Sequence, residues 1–185
     1  ALYAGRVPAE TLHQAVMRVG LRELRGLIFT VSLRGVLLKD RVLRRYAEEV
    51  WRQALSVARV ARAVARPLGV DPEQAYLLGL LHDVGKVALL TLLREEGRHG
   101  NDLTTALVGQ VFHSLHEKAG AAMARAWRLP PGIASVAAAH HDPAANSEHP
   151  REAALALIAH QIDLYDSLGD EAGLAALDGH AALHV

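Results

Sequence analysis

An ordered set of metal-ligating side chains runs through the second half of this chain: His82-Asp83, Lys86, His116, His140-His141 and Asp163. His82 and Asp83 stand side by side in an apolar stretch, 76–84. Neither is easily buried without a partner. Imidazole nitrogen and carboxylate oxygen together form a donor set suited to divalent metals. Each element of the set also has a plainer explanation. His82 with Asp83 can be a structural hydrogen bond that pins two helices, and His116 alone can be a surface histidine. His140-His141 can be two cations offsetting a helix C-terminus. Adjacent helical residues point about 100° apart, so both rings can face one cleft only near a helix end, which is where they fall. Asp163 and Asp166 are three residues apart and share a face, with Asp163 nearer the apolar stripe and Asp166 nearer solvent. Taken together and in order, the set points to a metal pocket.

Helices must position these groups, because the hydrophobic periodicity is helical almost throughout and no convincing alternating strand is found. Helices are expected over 9–19, ended by Gly20, and over 21–38, with Leu24, Leu27, Ile28, Val31 and Leu38 on one side. Asp40 is the expected cap of a long helix to about residue 65, with Val42, Leu43, Tyr46, Val50, Leu55, Ala58, Val60 and Ala61 near its buried stripe and its arginines solvated. Pro67 and Gly69 end it. Asp71-Pro72-Glu73 is a restart signal, a cap followed by proline at the first helical position. That helix delivers His82-Asp83, and Gly85 is expected to loosen the backbone before a helix to about residue 96. Residues 97–101 read as a loop. Ser114 with Glu117 has the form of a capping box, which puts His116 in a first turn. Pro131 opens the helix that ends at His140-His141, 142–150 is a polar loop, and a last helix covers 151–168. The fold class is all-α, a compact orthogonal bundle.

Composition bounds the function. Half of the 185 residues are hydrophobic and only 4% are aromatic, which suits closely packed helices. Formal net charge is zero, so nothing in the total charge argues for a nucleic-acid partner. The absence of cysteine excludes disulfides and thiolate zinc sites. No apolar run is expected to reach the ~18 residues needed to span a bilayer, so no membrane insertion is expected.

At this point the chain resembles the HDOD family, a bacterial signalling branch of the HD superfamily of metal-dependent phosphohydrolases. The strongest match is Tyr76-Leu77-Leu78-Gly79-Leu80-Leu81-His82-Asp83-Val84-Gly85-Lys86. His116-Glu117-Lys118-Ala119-Gly120, Trp127-Arg128-Leu129-Pro130 and His140-His141-Asp142-Pro143 follow in family order. Trp51-Arg52-Gln53-Ala54-Leu55 resembles the family's Trp-x-His-Ser-Leu, with Gln53 where the histidine belongs. The resemblance implies an HD-like helical core over 39–185. It also implies that 1–38 are the last part of an N-terminal helical subdomain whose opening helices are missing, so that the chain looks like a fragment.

HDOD proteins resemble the HD-GYP phosphodiesterases, which hydrolyse cyclic di-GMP with two metals. Carried over residue by residue, the ligand positions are Gln53, His82, Asp83, His116, His140, His141 and Asp163, and Lys86 matches the lysine after the His-Asp pair. The Gly-Tyr-Pro signature is absent: Asp142-Pro143-Ala144 follow the His pair. A glutamine carbonyl is a poor donor for iron, manganese or zinc compared with imidazole. The resemblance therefore implies at most one well-occupied divalent ion (Fe, Mn, Mg or Zn), on the side of Asp83, His116 and His140-His141, or no ion at all. The expected function is a cytoplasmic, non-catalytic signal-transduction module. It would act through a protein partner, a fused signalling domain or a bound nucleotide or cyclic dinucleotide. The alternative is a metal-dependent phosphohydrolase of nucleotides or cyclic dinucleotides, with Asp83 and Lys86 in the chemistry. His82, Asp83 and Asp163 are expected to converge in one cleft.

Overall fold

Helix α4, Pro72–Leu81, is the centre of the molecule, and its sequence says why. Asp71 accepts hydrogen bonds from the Glu73 and Gln74 amides at 3.1 and 3.0 Å, and Pro72 takes the first helical position. After that first turn the helix is apolar nearly all round: Ala75, Leu77, Leu78, Leu80 and Leu81 are all buried. A helix without a polar face must be surrounded by others. The computed structural model describes residues 11–38, 43–99 and 103–168. Within them all regular structure is helical: α1 Leu12–Val19, α2 Leu21–Leu37, α3 Arg44–Val64, α4, α5 Val84–Arg98, α6 Thr105–Ala126, α7 Pro131–Ala139 and α8 Pro150–Leu168. Helices α2, α3, α7 and α8 pack around α4, and α5 lies along α6.

Small residues let the helices approach closely at the places that matter for the His-Asp pair. On α3 the buried face is Ala47, Val50, Ala54, Val57, Ala58 and Ala61, at helical spacing. A Cβ on Gly79 of α4 would sit 2.7 Å from the Val57 carbonyl oxygen of α3. A Cβ on Gly85 of α5 would sit 1.9 Å from the His116 carbonyl oxygen of α6, and one on Gly120 of α6 would sit 2.2 Å from the Ala137 carbonyl oxygen of α7. These contacts bring the backbones carrying His82, Asp83, His116 and His140 together.

Several local expectations are corrected. Gly85 does not loosen the backbone; it lies inside α5, where only a residue without a side chain fits against α6. Helix α6 starts nine residues before Ser114, with the Thr104 hydroxyl accepting the Leu107 amide at 3.2 Å, so Ser114 and His116 are mid-helix. Helix α5 continues through Arg98 rather than stopping near 96. On α2 the buried residues are Gly26, Leu33 and Leu37, whereas Ile28 and Val31 are exposed. The inward face is rotated because Gly26 admits the Tyr76 ring, 3.3 Å from where a Cβ would be. On α3, Leu55 and Val60 are only half-buried, and alanines take the centre. The stretch Pro72–Gly97 does prove long and apolar enough to cross a membrane by length and composition, but 72% of its apolar window is buried inside the bundle, and it is broken at His82-Asp83. The expected cap Asp40, Val42, residues 1–10 and the tail from Gly169 lie outside the described residues.

The close approach at Gly85 gives a stability prediction. Gly85→Ala is expected to destabilise the fold by about 1–3 kcal/mol through overpacking. Gly109→Ala, in the open on α6 with nothing within 4 Å, is expected to stabilise by roughly 0.5–1 kcal/mol as glycine leaves a helix interior. Thermal unfolding of the two variants beside the wild type checks the opposite signs.

Candidate metal centre

The turn between α4 and α5 places His82 and Asp83 at the buried meeting point of α3, α6, α7 and α8. Three histidines there are oriented by their own helices. His82 Nδ1–H donates to the Gly79 carbonyl at 2.7 Å, His116 Nδ1–H to the Phe112 carbonyl at 2.7 Å, and His140 Nδ1–H to the Val136 carbonyl at 3.2 Å. A carbonyl oxygen can only accept, so each ring carries a proton on Nδ1 and turns its Nε2 into the pocket. This is the arrangement in which a backbone carbonyl fixes the tautomer of a ligating imidazole.

The three Nε2 atoms face Asp83. Its Oδ2 lies 3.2 Å from His82 Nε2, and its Oδ1 lies 3.5 Å from His140 Nε2 and 3.7 Å from His116 Nε2. His82 Nε2, His140 Nε2 and Asp83 Oδ1 are fully buried and, among the described residues, have no hydrogen-bond partner. Buried polar atoms left without a partner are costly. A cation resolves the conflict, and a divalent metal suits nitrogen and carboxylate donors. His141 stands at the solvent mouth of the cluster with its Nε2 3.1 Å from His116 Nε2. Two nitrogens bound to one ion at about 2.1 Å would be roughly 3.0–3.4 Å apart. Glu117 adds a carboxylate beside them: it accepts the His141 amide at 3.2 Å, and His116, Glu117, His140 and His141 each offer a ligand atom within 4.8 Å of the others. The residues present therefore fit a divalent ion on this side of Asp83.

The opposite side is built differently. Gln53, on α3, does face the pocket, but both ends of its amide are engaged. Its Oε1 accepts from Lys86 Nζ at 3.0 Å, and its Nε2 donates to His160 Nε2 at 3.1 Å. Lys86 Nζ also donates to Asp83 Oδ2. His160, on α8, completes a buried triad with His82 and His140 whose ligand atoms lie within 4.8 Å of one another. Asp163, one turn further along α8, is buried, and its carboxylate is paired with Arg52 at 3.3 Å rather than with any of these imidazoles. Arg52 is held in turn by Glu49, which raises the guanidinium's proton affinity further, with Asp163 adding to it. Asp166 is exposed.

The candidates His82, Asp83, His116, His140 and His141 are thus in one pocket with Gln53 and Lys86, while Asp163 sits beside it under Arg52. His160 and Glu117 escaped the sequence reading. Glu117 looked like half of a capping box, and His160 was overshadowed by Asp163. The signal for His160 was available: a lone imidazole in the apolar run 153–162, three residues before a buried acid.

Electrostatics follow from burial. Burial pushes His140 well below the usual imidazole range, helped by His82, and lowers His141, with His116 adding to the effect. Burial pushes His160 down to about 3. Burial alone would raise the Asp83 carboxyl; His82, Lys86 and His140 outweigh it and hold the group well below the usual carboxylate range. The lowered proton affinities of His140 and His141 beside an ionised Asp83 are in the direction that metal binding requires.

A family model for the HDOD domain matches residues 1–143, and the chain belongs to the HDOD family. Gln53, His82, Asp83, Lys86, His116, His140 and His141 fall inside that match; His160 and Asp163 lie beyond it. An uncharacterized protein of Treponema pallidum (strain Nichols) is 28% identical over 143 residues, which are 71% of this chain and 27% of that protein. The chain spans about a quarter of that relative's length. Among solved structures, a Shewanella amazonensis protein provisionally named a metal-dependent phosphohydrolase superposes with a TM-score of 0.73 at 21% identity, covering 96% of this chain and 65% of the other. That likeness establishes the HD-type fold.

The depressed proton affinities predict how the metal-free protein responds to acid. As pH falls below 6.5, an unfolded His160 takes up a proton that the folded one refuses until about 3. The unfolded state then binds more protons, so stability falls with falling pH in that window and is fully present above it. Asp83 and His140 act with the same sign. The thermal midpoint of chelator-treated protein is expected to be flat above pH 7 and to fall steadily toward pH 4. His160→Gln is expected to flatten that fall, and a rise on acidification would contradict the assignment.

Proposed function

We propose that this chain is a non-catalytic HDOD signalling module with a one-metal pocket, acting through a protein partner or a fused signalling domain. The observation that carries the proposal is Gln53. Where an early imidazole would be needed for a second metal, a neutral amide stands with its oxygen already occupied by Lys86 and its nitrogen by His160. The ion would be held by Asp83 Oδ1, His116, His140 and His141, with Glu117 within reach. A bound divalent ion supplies Lewis acidity and lowers the pKa of its water. Hydrolysis of a phosphodiester by a metal pair needs a second ion to clamp the phosphoryl oxygens, and on this account the second position is filled by protein. Lys86, which in an enzyme could meet a phosphate, is spent inside the pocket on Asp83 and Gln53.

The wider setting belongs to the same proposal: a bacterial, cytoplasmic protein in which the pocket accepts a nucleotide or cyclic dinucleotide without cleaving it. Residues 39–185 form its HD-like core, and 1–38 belong to a preceding helical subdomain. The competing class, a metal-dependent phosphohydrolase, is supported by the survival of the buried imidazole cluster and by the name of the Shewanella protein.

Turnover separates the two. Wild-type protein with added manganese or iron is expected to hydrolyse neither cyclic di-GMP nor a bis-aryl phosphodiester above the level of an Asp83→Ala control. Turnover well above background that disappears in that control would make the protein an enzyme.

A further inference from the structure

Asp83 divides its carboxylate between two directions. Oδ1 receives no hydrogen bond from the described residues and looks toward His116 and His140. Oδ2 receives Lys86 Nζ and lies beside His82. Lys86 is a buried ammonium for most of its length, with its side chain 16% exposed, and its second contact is Gln53 Oε1 at 3.0 Å. An ammonium only donates, so it must face the amide oxygen, which turns the amide nitrogen to His160 Nε2. Gln53 is therefore fixed in one orientation by two partners on two other helices, α5 and α8.

We propose that Gln53 and Lys86 work as a pair in which Gln53 retains the Lys86 ammonium on Asp83 Oδ2, and this internal cation replaces a second metal ion. The inference rests on the one-metal pocket proposed above and changes what limits it. A glutamine that was merely a lost ligand would leave a poor but open second position lined by His82, Asp83 Oδ2, His160 and an amide oxygen. Here that position holds a positive charge at hydrogen-bond distance from the carboxylate oxygen a metal would use. A divalent ion brought to Oδ2 would meet the ammonium at close range in a buried site, where like charges are poorly screened. The limiting feature is Lys86, held by Gln53, and not the donor strength of Gln53 alone. The arrangement also gives the buried carboxylate a permanent partner, so the fold does not depend on metal supply at that oxygen.

Metal counting by dialysis against excess manganese(II), followed by elemental analysis per chain, tests this. Wild type is expected to hold one equivalent. Lys86→Gln, which removes the charge and leaves His82, Asp83, His160 and Gln53 in place, is expected to hold two. Its thermal midpoint should rise with manganese by more than the wild type's does. Lys86→Arg, which keeps a cation, is expected to hold one. Lys86→Met gives the same neutralisation if the glutamine variant proves unstable, and circular dichroism establishes that each variant is helical. A folded Lys86→Gln that stays at one equivalent overturns the inference, as does a second ion in Lys86→Arg. Two equivalents in the wild type would also overturn it while leaving the metal pocket standing. No metal in any variant would refute the pocket itself, and this inference with it.

Discussion

A buried ionised carboxylate has to be answered by positive charge, and Asp83 is the place where this fold meets that demand. Leaving such a group unpaired costs roughly 3–5 kcal/mol, a large part of the stability of a small domain. One oxygen is answered by Lys86 from the next turn of α5. The other looks toward the Nε2 atoms of His116 and His140 and has no hydrogen-bond partner among the described residues. The helices are arranged around this asymmetry. The α4–α5 turn carries the acid, α6 and α7 bring imidazoles to one oxygen, and α3 and α8 bring Gln53 and His160 to the side of the other.

That convergence depends on features with no chemistry of their own. Backbones carrying ligands can approach only where side chains are absent, hence glycine at 79, 85 and 120. Carbonyls of Gly79, Phe112 and Val136 set the ring tautomers at no cost to helix formation, because each histidine uses an acceptor three or four residues back on its own helix. The pocket is thus oriented by main chain rather than by a shell of further polar side chains, which an alanine-rich core would not accommodate.

Much of this was legible in the sequence. The apolar run ending in His82-Asp83, the Asp71-Pro72 start and the Pro131 start are strong local signals, and they fix where the central ligands fall. What was not legible depended on tertiary approach. Gly85 reads as a flexible point in one dimension and becomes a contact between helices in three. Ser114 offers a plausible cap, but the helix around it is capped earlier by Thr104, and α6 lies along α5 with Val108 of its first turn buried. The buried face of α2 was misplaced because Gly26 is invisible to a hydrophobicity pattern. Gln53 was singled out as a missing imidazole, yet its partnership with Lys86 and His160 joins residues 33 and 107 positions away, and no local signal reports that.

The central claim is a single exchangeable ion beside an internal ammonium. Electron paramagnetic resonance of the wild-type protein loaded with manganese(II) examines it most directly, because neighbouring manganese ions couple and isolated ones do not. The account predicts the hyperfine pattern of isolated manganese(II) at every metal-to-protein ratio up to saturation. An exchange-coupled dinuclear spectrum at saturation would contradict it, since that requires Lys86 to have left Asp83 for a second ion.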